Sequence, residues 1–532
     1  MCGIVGLYSP GEITSSLAYL GLFALQHRGQ ESAGIATSDR EEITIVKDMG
    51  LVSHAFDERK LAPLDGDIAI GHVRYSTTGS SHWENAQPLF RSIGDMGFTI
   101  AHNGNLTNTD KLQELLGQFP GISQPTYGID STSDSDLVAQ LIERVMTKND
   151  VEGLNSQSSI TNVDDRISSP LEIALGEVLP QLEGAFSMVF MNEDTLIGAR
   201  DAQGYHPLVL GKLENGWALA SESCALDIMG AHFVRDIEPG EMVIINDDGV
   251  TSLRFIEARP KLCVFEFVYF ARPDTQLYGK SVHAVRQRMG EELARQAPAI
   301  NADMVMPVPE SGVPAAQGFA RETGIPYGDG VVKNRYVGRT FISPDQKTRA
   351  KNVKMKLNPI RENIEGKSLV VIDDSIVRGT TTKALIAMLR ESGAKEIHFR
   401  VSSPPYRWPC FFGIDTGSRN ELLAANMSVG EICDYIGADS LSYLNVDAMI
   451  RATDSSPNSF CTACLTGKYD VDVSIEVDAD ELKQISETET ETSSGFVPVF
   501  FSTKDSHPEA TSSSSHPELA KPVEGSNSKG AF

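Results

Sequence analysis

Cysteine is scarce in this chain, with seven residues among 532. That density is too low for a disulfide framework and suits a reducing compartment, where thiols serve catalysis or metal binding. Nowhere do eighteen apolar residues run together, which excludes an ordinary membrane-spanning helix. The N-terminus also lacks a basic-then-apolar leader pattern, so a soluble protein of the cytoplasm is expected. Basic side chains are outnumbered, 46 Lys and Arg against 72 Asp and Glu, and the net charge of −26 argues against a general nucleic-acid binder. What remains is a long soluble chain, 41% hydrophobic, with material for two or three domains.

Residues 1–250 read as many short strands with a few helices. "ITIVKD", "DIAIGHVRY", "GFTIAHNG" and "AFSMVFMN" are strand-like. "SDSDLVAQLIERVMTK" places Leu137, Val138, Leu141, Ile142 and Val145 on one helical face. The polar stretch 151–170 has no period and reads as an exposed loop. Around "RFIEARPKLCVFEFVYFARPD" the texture changes. From about 280 to 405, strands alternate with amphipathic helices, the mark of a parallel α/β sheet. Beyond about 475 the chain turns acidic and rich in Ser and Thr, which predicts disorder.

The opening "MCGIVGLYSP" puts a cysteine at position 2. Once Met1 is removed, Cys2 carries a thiol and a free α-amine on one Cα. Such an amine titrates near 7.7–8.0 and can serve as base for the thiol beside it. The plainer alternative is that any residue can follow Met. In "VVIDDSIVRGTTT", a buried-looking strand ends in Asp373 and Asp374, followed by a hydroxyl-rich turn with Gly379 and then a helix. Ligands of open parallel sheets sit beyond the carboxyl ends of the strands, and the amides of such a turn can hold a phosphate. The acidic pair suits ribose hydroxyls or Mg²⁺, although Asp-Asp-Ser is also an ordinary way to leave a strand and cap a helix. Residues 333–356 carry eight Lys or Arg and one acid. A basic loop beside a phosphate site points to a polyphosphate substrate, a phosphorylated ribose with a pyrophosphate leaving group.

These stretches resemble two known families in succession. "VVIDDSIVRGTTT" looks like the phosphoribosylpyrophosphate (PRPP) loop of type I phosphoribosyltransferases. "MCGIVG", "LQHRGQESAGI", "GHVRYSTTGSS" and "AHNGN" resemble the N-terminal-nucleophile glutamine amidotransferases. Together, with "FVYFARPD", "PVPESG" and "KNRYVGRTF" between them, the set resembles the amidophosphoribosyltransferases of de novo purine synthesis, from residue 2 to about 470. The resemblance implies an αββα glutaminase domain over 2–255. An α/β phosphoribosyltransferase domain with a parallel sheet would follow over 256–475, then an acidic tail over 476–532.

By the same resemblance, Cys2 attacks the amide of glutamine, with Asn103 and Gly104 of "AHNGN" as the oxyanion hole. Arg74 would grip the glutamine carboxylate and Asp134 its ammonium, while Arg28 in "QHRGQ" would lie nearby, structural or substrate-facing, with the structural reading preferred. PRPP would be held by Asp373, Asp374, Ser375, Ile376, Val377, Arg378, Gly379, Thr380 and Thr381, with Lys333 and Arg335 on its phosphates or on inhibitory purine nucleotides. Mg²⁺ would sit on Ser311, Asp373 and Asp374. "FCTACLTGKY" holds Cys461 and Cys464 at the spacing of a metal half-site. With Cys263 and Cys410 they match the family branch that carries a [4Fe–4S] cluster, though spacing alone leaves a Cys₄ zinc site open. Cys224 and Cys433 then read as ordinary buried residues, and His72 and His102 as structural. "DAQGYHPL" departs from the family's DPNG-x-RPL pattern, with His206 in place of arginine and a bulky Tyr205, implying altered packing. No propeptide precedes Cys2, so Met removal alone should mature the chain. The family suggests a homotetramer without nucleic-acid or membrane partners. The rival is a purine-nucleotide-binding regulator with a phosphoribosyltransferase shell, which predicts damage at Cys2, Arg74, Asn103 or Asp373. All four are intact.

Overall fold

The computed structural model describes all residues except 76–81, 95, 118–132, 153–168, 300, 335–354, 415, 417, 472, 478–498 and 503–532. The polar stretch read as an exposed loop, the basic loop and Arg335 therefore lie mostly or wholly outside the described residues.

Strand Gly3–Tyr8 is buried along its whole length, because its residues alternate between two cores. Val5 and Leu7 face helices Thr14–Ala24 and Ser223–Met229. Ile4 and Tyr8 face a second sheet through Val189, Met191 and Leu196. The first sheet has seven strands with Gly3–Tyr8 between Gly216–Ala220 and Ile68–Arg74, antiparallel to each. The second has six, including Met96–Leu106 paired antiparallel with Gly184–Met191. Its outer face is covered by helices Asp134–Glu152 and Pro170–Val178 through Leu137, Leu141, Leu171 and Leu175. The order of layers is helix, sheet, sheet, helix, as expected. Each fully buried Ile, Leu or Val here contributes roughly 1.5–3 kcal/mol.

The second half holds a four-stranded, all-parallel sheet of Met304–Pro307, Ser368–Asp373, Glu396–Val401 and Ser440–Tyr443. Its strand Ser368–Asp373 is apolar on both faces. Val370 and Ile372 pack towards helices Val282–Gln296 and Val313–Thr323. Leu369 and Val371 pack towards helices Thr380–Glu391 and Val429–Ile436. This double burial is why the strand reads as a continuous apolar run.

Among the described residues, those up to Val473 cluster as one compact unit, and Ser474–Val477 with Val499–Ser502 belong to another. In the tail expected to be disordered, Ser474–Val477 pairs in parallel with Val499–Ser502. Those eight positions include five apolar residues, Ile475, Val477, Val499, Phe500 and Phe501, in an otherwise polar stretch. No described helix is long and apolar enough to cross a membrane. Cys433, expected to be buried, is half-buried because its helix Val429–Ile436 borders solvent.

Candidate active site

Cys2 ends up buried because the first strand starts one residue later, in the centre of a sheet. Its backbone nitrogen donates to Asn103 Oδ1 at 2.9 Å, and its carbonyl accepts from Arg28 Nε at 3.0 Å. Its Sγ lies 3.4 Å from Tyr75 N and 3.5 Å from Tyr75 O. Burial raises the thiol pKa, opposed by the positive chain terminus, by a backbone hydrogen bond from Tyr75 and by Arg74. Met1 is buried too, and burial pushes its α-amine down to about 5. A terminus held this firmly contrasts with the frayed ends usual in proteins.

Asn103 and Gly104 lie side by side in strand Met96–Leu106, opposite Ser187 and Phe186. Asn103 is fully buried, and its Nδ2 is a buried donor without a partner. Buried donors are nearly always paired, so this one is available to a negative atom brought by a substrate. At Gly104 a Cβ would come within 2.0 Å of Ala185 O, so only glycine lets the two strands approach here.

Arg74 ends strand Ile68–Arg74, is buried, and donates to Glu31 Oε1 at 3.1 Å. Asp134 opens helix Asp134–Glu152, where a negative charge is favoured. Burial pushes its carboxyl up, but His102 and the amides of Leu106 and Ser135 more than offset this, and it is held below the usual range. His102 thus gains a role the sequence did not show. Its Nδ1 lies 3.1 Å from Ser135 Oγ and 3.6 Å from Asp134 Oδ1. His72 contacts His102 O through Nε2 at 3.1 Å. Burial lowers its pKa to about 3 and keeps it neutral.

The second half supplies its own constellation. Asp373 and Asp374 stand at the carboxyl end of strand Ser368–Asp373. Burial pushes both carboxyls up, and the charge of Asp374 pushes Asp373 further; Ser311 and Ser375 donate to Asp374 and Arg286 attracts it. Ionising two neighbouring buried acids is costly, and a cation seated between them would offset that cost. Gly379 adopts φ of 69°, and a Cβ there would meet Leu423 at 2.6 Å. Its left-handed turn delivers Thr380 to the start of helix Thr380–Glu391. Ile376 is buried and Val377 packs against the core, so these two anchor the turn through its backbone. Arg378 Nε donates to Glu421 Oε2 at 2.9 Å, and Lys333 Nζ to Glu310 Oε2 at 3.0 Å.

Cys263, Cys410, Cys461 and Cys464 line one cavity with Tyr205, His206, Phe412 and Tyr469. Leu262–Cys263 pairs in parallel with Phe460–Cys461. Burial raises all four thiols, Cys461 to about 12. Among the described residues, no three Cys, His, Asp or Glu side chains gather on a single metal-ion position. Tyr205 stacks on Phe412 with ring centroids 4.3 Å apart, and His206 Nε2 lies 2.5 Å from Phe412 O. The departure from the family pattern therefore packs against the segment beside Cys410. That segment also reaches the first half, where Asn105 Nδ2 donates to Phe411 O at 3.0 Å.

Residues 72–227 match the family model of a glutamine amidotransferase domain, and 280–403 that of a phosphoribosyl transferase domain. The chain is 48% identical to the amidophosphoribosyltransferase of Mycobacterium leprae, over 89% of this chain and 83% of that protein. It is 43% identical to that of Bacillus subtilis, over 89% and 94% respectively. A solved structure of the B. subtilis glutamine PRPP amidotransferase, in complex with ADP and GMP, superposes with a TM-score of 0.77 at 41% identity. It covers 88% of this chain and 97% of its own. With likeness of this extent across both halves, the chain belongs to the amidophosphoribosyltransferase family, enzymes that use glutamine to aminate PRPP.

Proposed function

We propose that Cys2, freed of Met1, is the glutamine nucleophile and that its own α-amine takes the thiol proton. The sulfur attacks the side-chain amide carbon, ammonia leaves, and water releases glutamate from the thioester. Asn103 Nδ2 and the Gly104 amide face the oxyanion, donors typically worth about 10²–10³ in rate each. Arg74 pairs with the substrate carboxylate and Asp134 with its ammonium. The observation that carries this reading is the double use of Asn103: Oδ1 holds the Cys2 nitrogen, while Nδ2 is buried and unpaired.

Ammonia then displaces pyrophosphate at C1 of PRPP to give phosphoribosylamine. Asp373 and Asp374 bind the ribose hydroxyls, and with Ser311 they fit Mg²⁺, since a cation offsets the cost of ionising two neighbouring buried carboxyls. Mg²⁺ when bound supplies positive charge to the leaving pyrophosphate. Residues Ser375–Thr381 cradle the 5′-phosphate on the helix start, and Lys333 and Arg335 meet phosphates of substrate or of inhibitory purine nucleotides. Support for the latter is the ADP and GMP bound by the B. subtilis enzyme. No protein nucleophile is needed, so this half acts by positioning and charge.

The four thiols around one cavity suit a [4Fe–4S] cluster, which seats its thiolates on separate irons. A single zinc ion needs four sulfurs within about 2.3 Å of one centre. The group would brace the 263, 410 and 461–464 segments. The proposed assembly is a cytoplasmic homotetramer, as in the family. Reaction with a diazoketone analogue of glutamine, followed by peptide mass mapping, tests the nucleophile. The label falls on an N-terminal peptide that starts at Cys2; label elsewhere, or on a peptide retaining Met1, contradicts the reading.

A further inference from the structure

Cys2 has only one neighbour in the chain once Met1 is gone, so side chains must hold it in place. One of its anchors is assembled from the other half of the molecule. Arg28, whose side chain is fully buried, gives its Nε to the Cys2 carbonyl at 3.0 Å. Its Nη1 donates to Glu266 Oε2 at 3.0 Å and its Nη2 to Glu266 Oε1 at 2.7 Å, a forked pair. Nη1 also reaches Glu222 Oε1 at 2.6 Å. Glu222 in turn accepts from Arg272 N at 2.8 Å and Thr275 Oγ1 at 2.7 Å. Each carboxylate that fixes Arg28 is therefore either part of the 266–275 segment or tied to it.

That segment packs into the core of the phosphoribosyl half, where Phe267, Val268 and Ala271 lie in one cluster with Val370 and Ile372 of the parallel sheet. Glu266–Phe270 forms a single π-helical turn, a rare conformation that concentrates at functional positions. Arg286, on helix Val282–Gln296, clamps it through Nε to Phe267 O at 2.7 Å and Nη2 to Ala271 O at 2.8 Å. Arg286 also feels the charge of Asp374, one of the two acids at the end of the parallel strand. Named contacts thus run from Arg286 to the carbonyl of the nucleophile, and the attraction between Arg286 and Asp374 extends the line towards the phosphoribosyl loop.

We propose that Glu266 is a positioning residue for glutamine cleavage, holding Cys2 through Arg28 from the phosphoribosyl half. This rests on the reading of Cys2 as nucleophile. Placement errors of about 1 Å at a reacting centre can cost about 10²-fold in rate, and Arg28 supports the reacting residue rather than the substrate. Loss of Glu266 should therefore lower kcat for glutamate release and spare glutamine KM, because Arg74 and Asp134 are untouched.

The test compares parent, Glu266→Gln, Arg28→Lys, the double variant and Cys2→Ala in full-length protein. Glutamate release is followed with PRPP and Mg²⁺, and pyrophosphate release with ammonium salt in place of glutamine. The expected result for either single variant is a kcat loss of about 10- to 100-fold with KM within about threefold. Ammonia-supported pyrophosphate release stays within about twofold of the parent, and the double variant is no worse than the poorer single one. Arg28→Lys keeps the charge but not the fork, so it tests the claim even where Glu266→Gln folds poorly. A kcat unchanged in both single variants overturns the proposal, as does a loss confined to KM. A parallel fall of the ammonia-supported reaction also overturns it, since that marks a general structural role. If Cys2→Ala still releases glutamate, the nucleophile reading itself fails; if it does not and Glu266→Gln equals the parent, only this inference fails.

Discussion

Replacing Asn103 by aspartate probes the glutaminase site most sharply. The two side chains have nearly the same shape, and the acceptor towards the Cys2 nitrogen at 2.9 Å is kept. What changes is the second atom, where a buried unpaired N–H donor becomes an oxygen. An unpaired buried donor costs about 1–3 kcal/mol in the resting protein, and that cost is recovered only when negative charge develops opposite it. Removing a donor of this kind costs about 10²–10³ in kcat, or about 2.7–4 kcal/mol. Asn103→Asp should therefore lose at least that much kcat for glutamate release at saturating PRPP. Glutamine KM should stay within about threefold, because the groups proposed to bind the amino acid lie on other elements. Steady-state glutamate release, with thermal unfolding measured on the same samples, decides it. A kcat within about fivefold of the parent, or a loss carried wholly by KM, refutes the reasoning.

Mg²⁺ and pH should trade against each other at the acidic pair. The folded-state pKa values of Asp373 and Asp374 are raised, so the magnesium-free protein loses stability as pH climbs from about 3.9 through those values. Mg²⁺ should restore it, and Asp373→Asn should flatten both effects in melting curves; equal pH dependence in the two proteins would count against the site. His72, with its pKa lowered to about 3, contributes stability that is whole above about 6.5 and lost as pH falls. His72→Gln should remove up to about 1.4 kcal/mol of slope per pH unit between those limits in denaturant titrations, and an unchanged slope disproves a buried neutral histidine. Cys464→Ser should lose most iron and inorganic sulfide after anaerobic purification and melt earlier, whereas Cys433→Ser keeps both. Full iron content in Cys464→Ser would remove the cluster from the account.

Much of this arrangement is legible in the sequence because it is local. The doubly buried strand Ser368–Asp373 and the amphipathic run in Asp134–Glu152 announce themselves by period. Cys2, Asn103, Asp373 and Gly379 stand in short motifs whose chemistry can be named residue by residue. The contacts that join the halves carry no such mark. Glu266 lies 238 residues from Arg28 inside a π-helical turn, whose period is neither 2 nor 3.6, so no pattern singles it out. Arg28 reads as structural in "QHRGQ", and only the folded chain brings its Nε onto the Cys2 carbonyl. His102 is similar: the sequence shows a histidine beside Asn103, while its approach to Asp134 depends on a helix beginning 32 residues later. The short parallel pairing in the tail was hidden by its polar composition, which dominates any average taken over that stretch.

The central claim is that Cys2 cleaves glutamine and that this cleavage answers to the phosphoribosyl site. Its most direct test is anaerobic glutamate release with and without PRPP and Mg²⁺, run on the parent beside Cys2→Ala. The account predicts strong stimulation by PRPP in the parent and no release from Cys2→Ala. Equal release without PRPP would contradict the coupling, and release from Cys2→Ala would contradict the nucleophile.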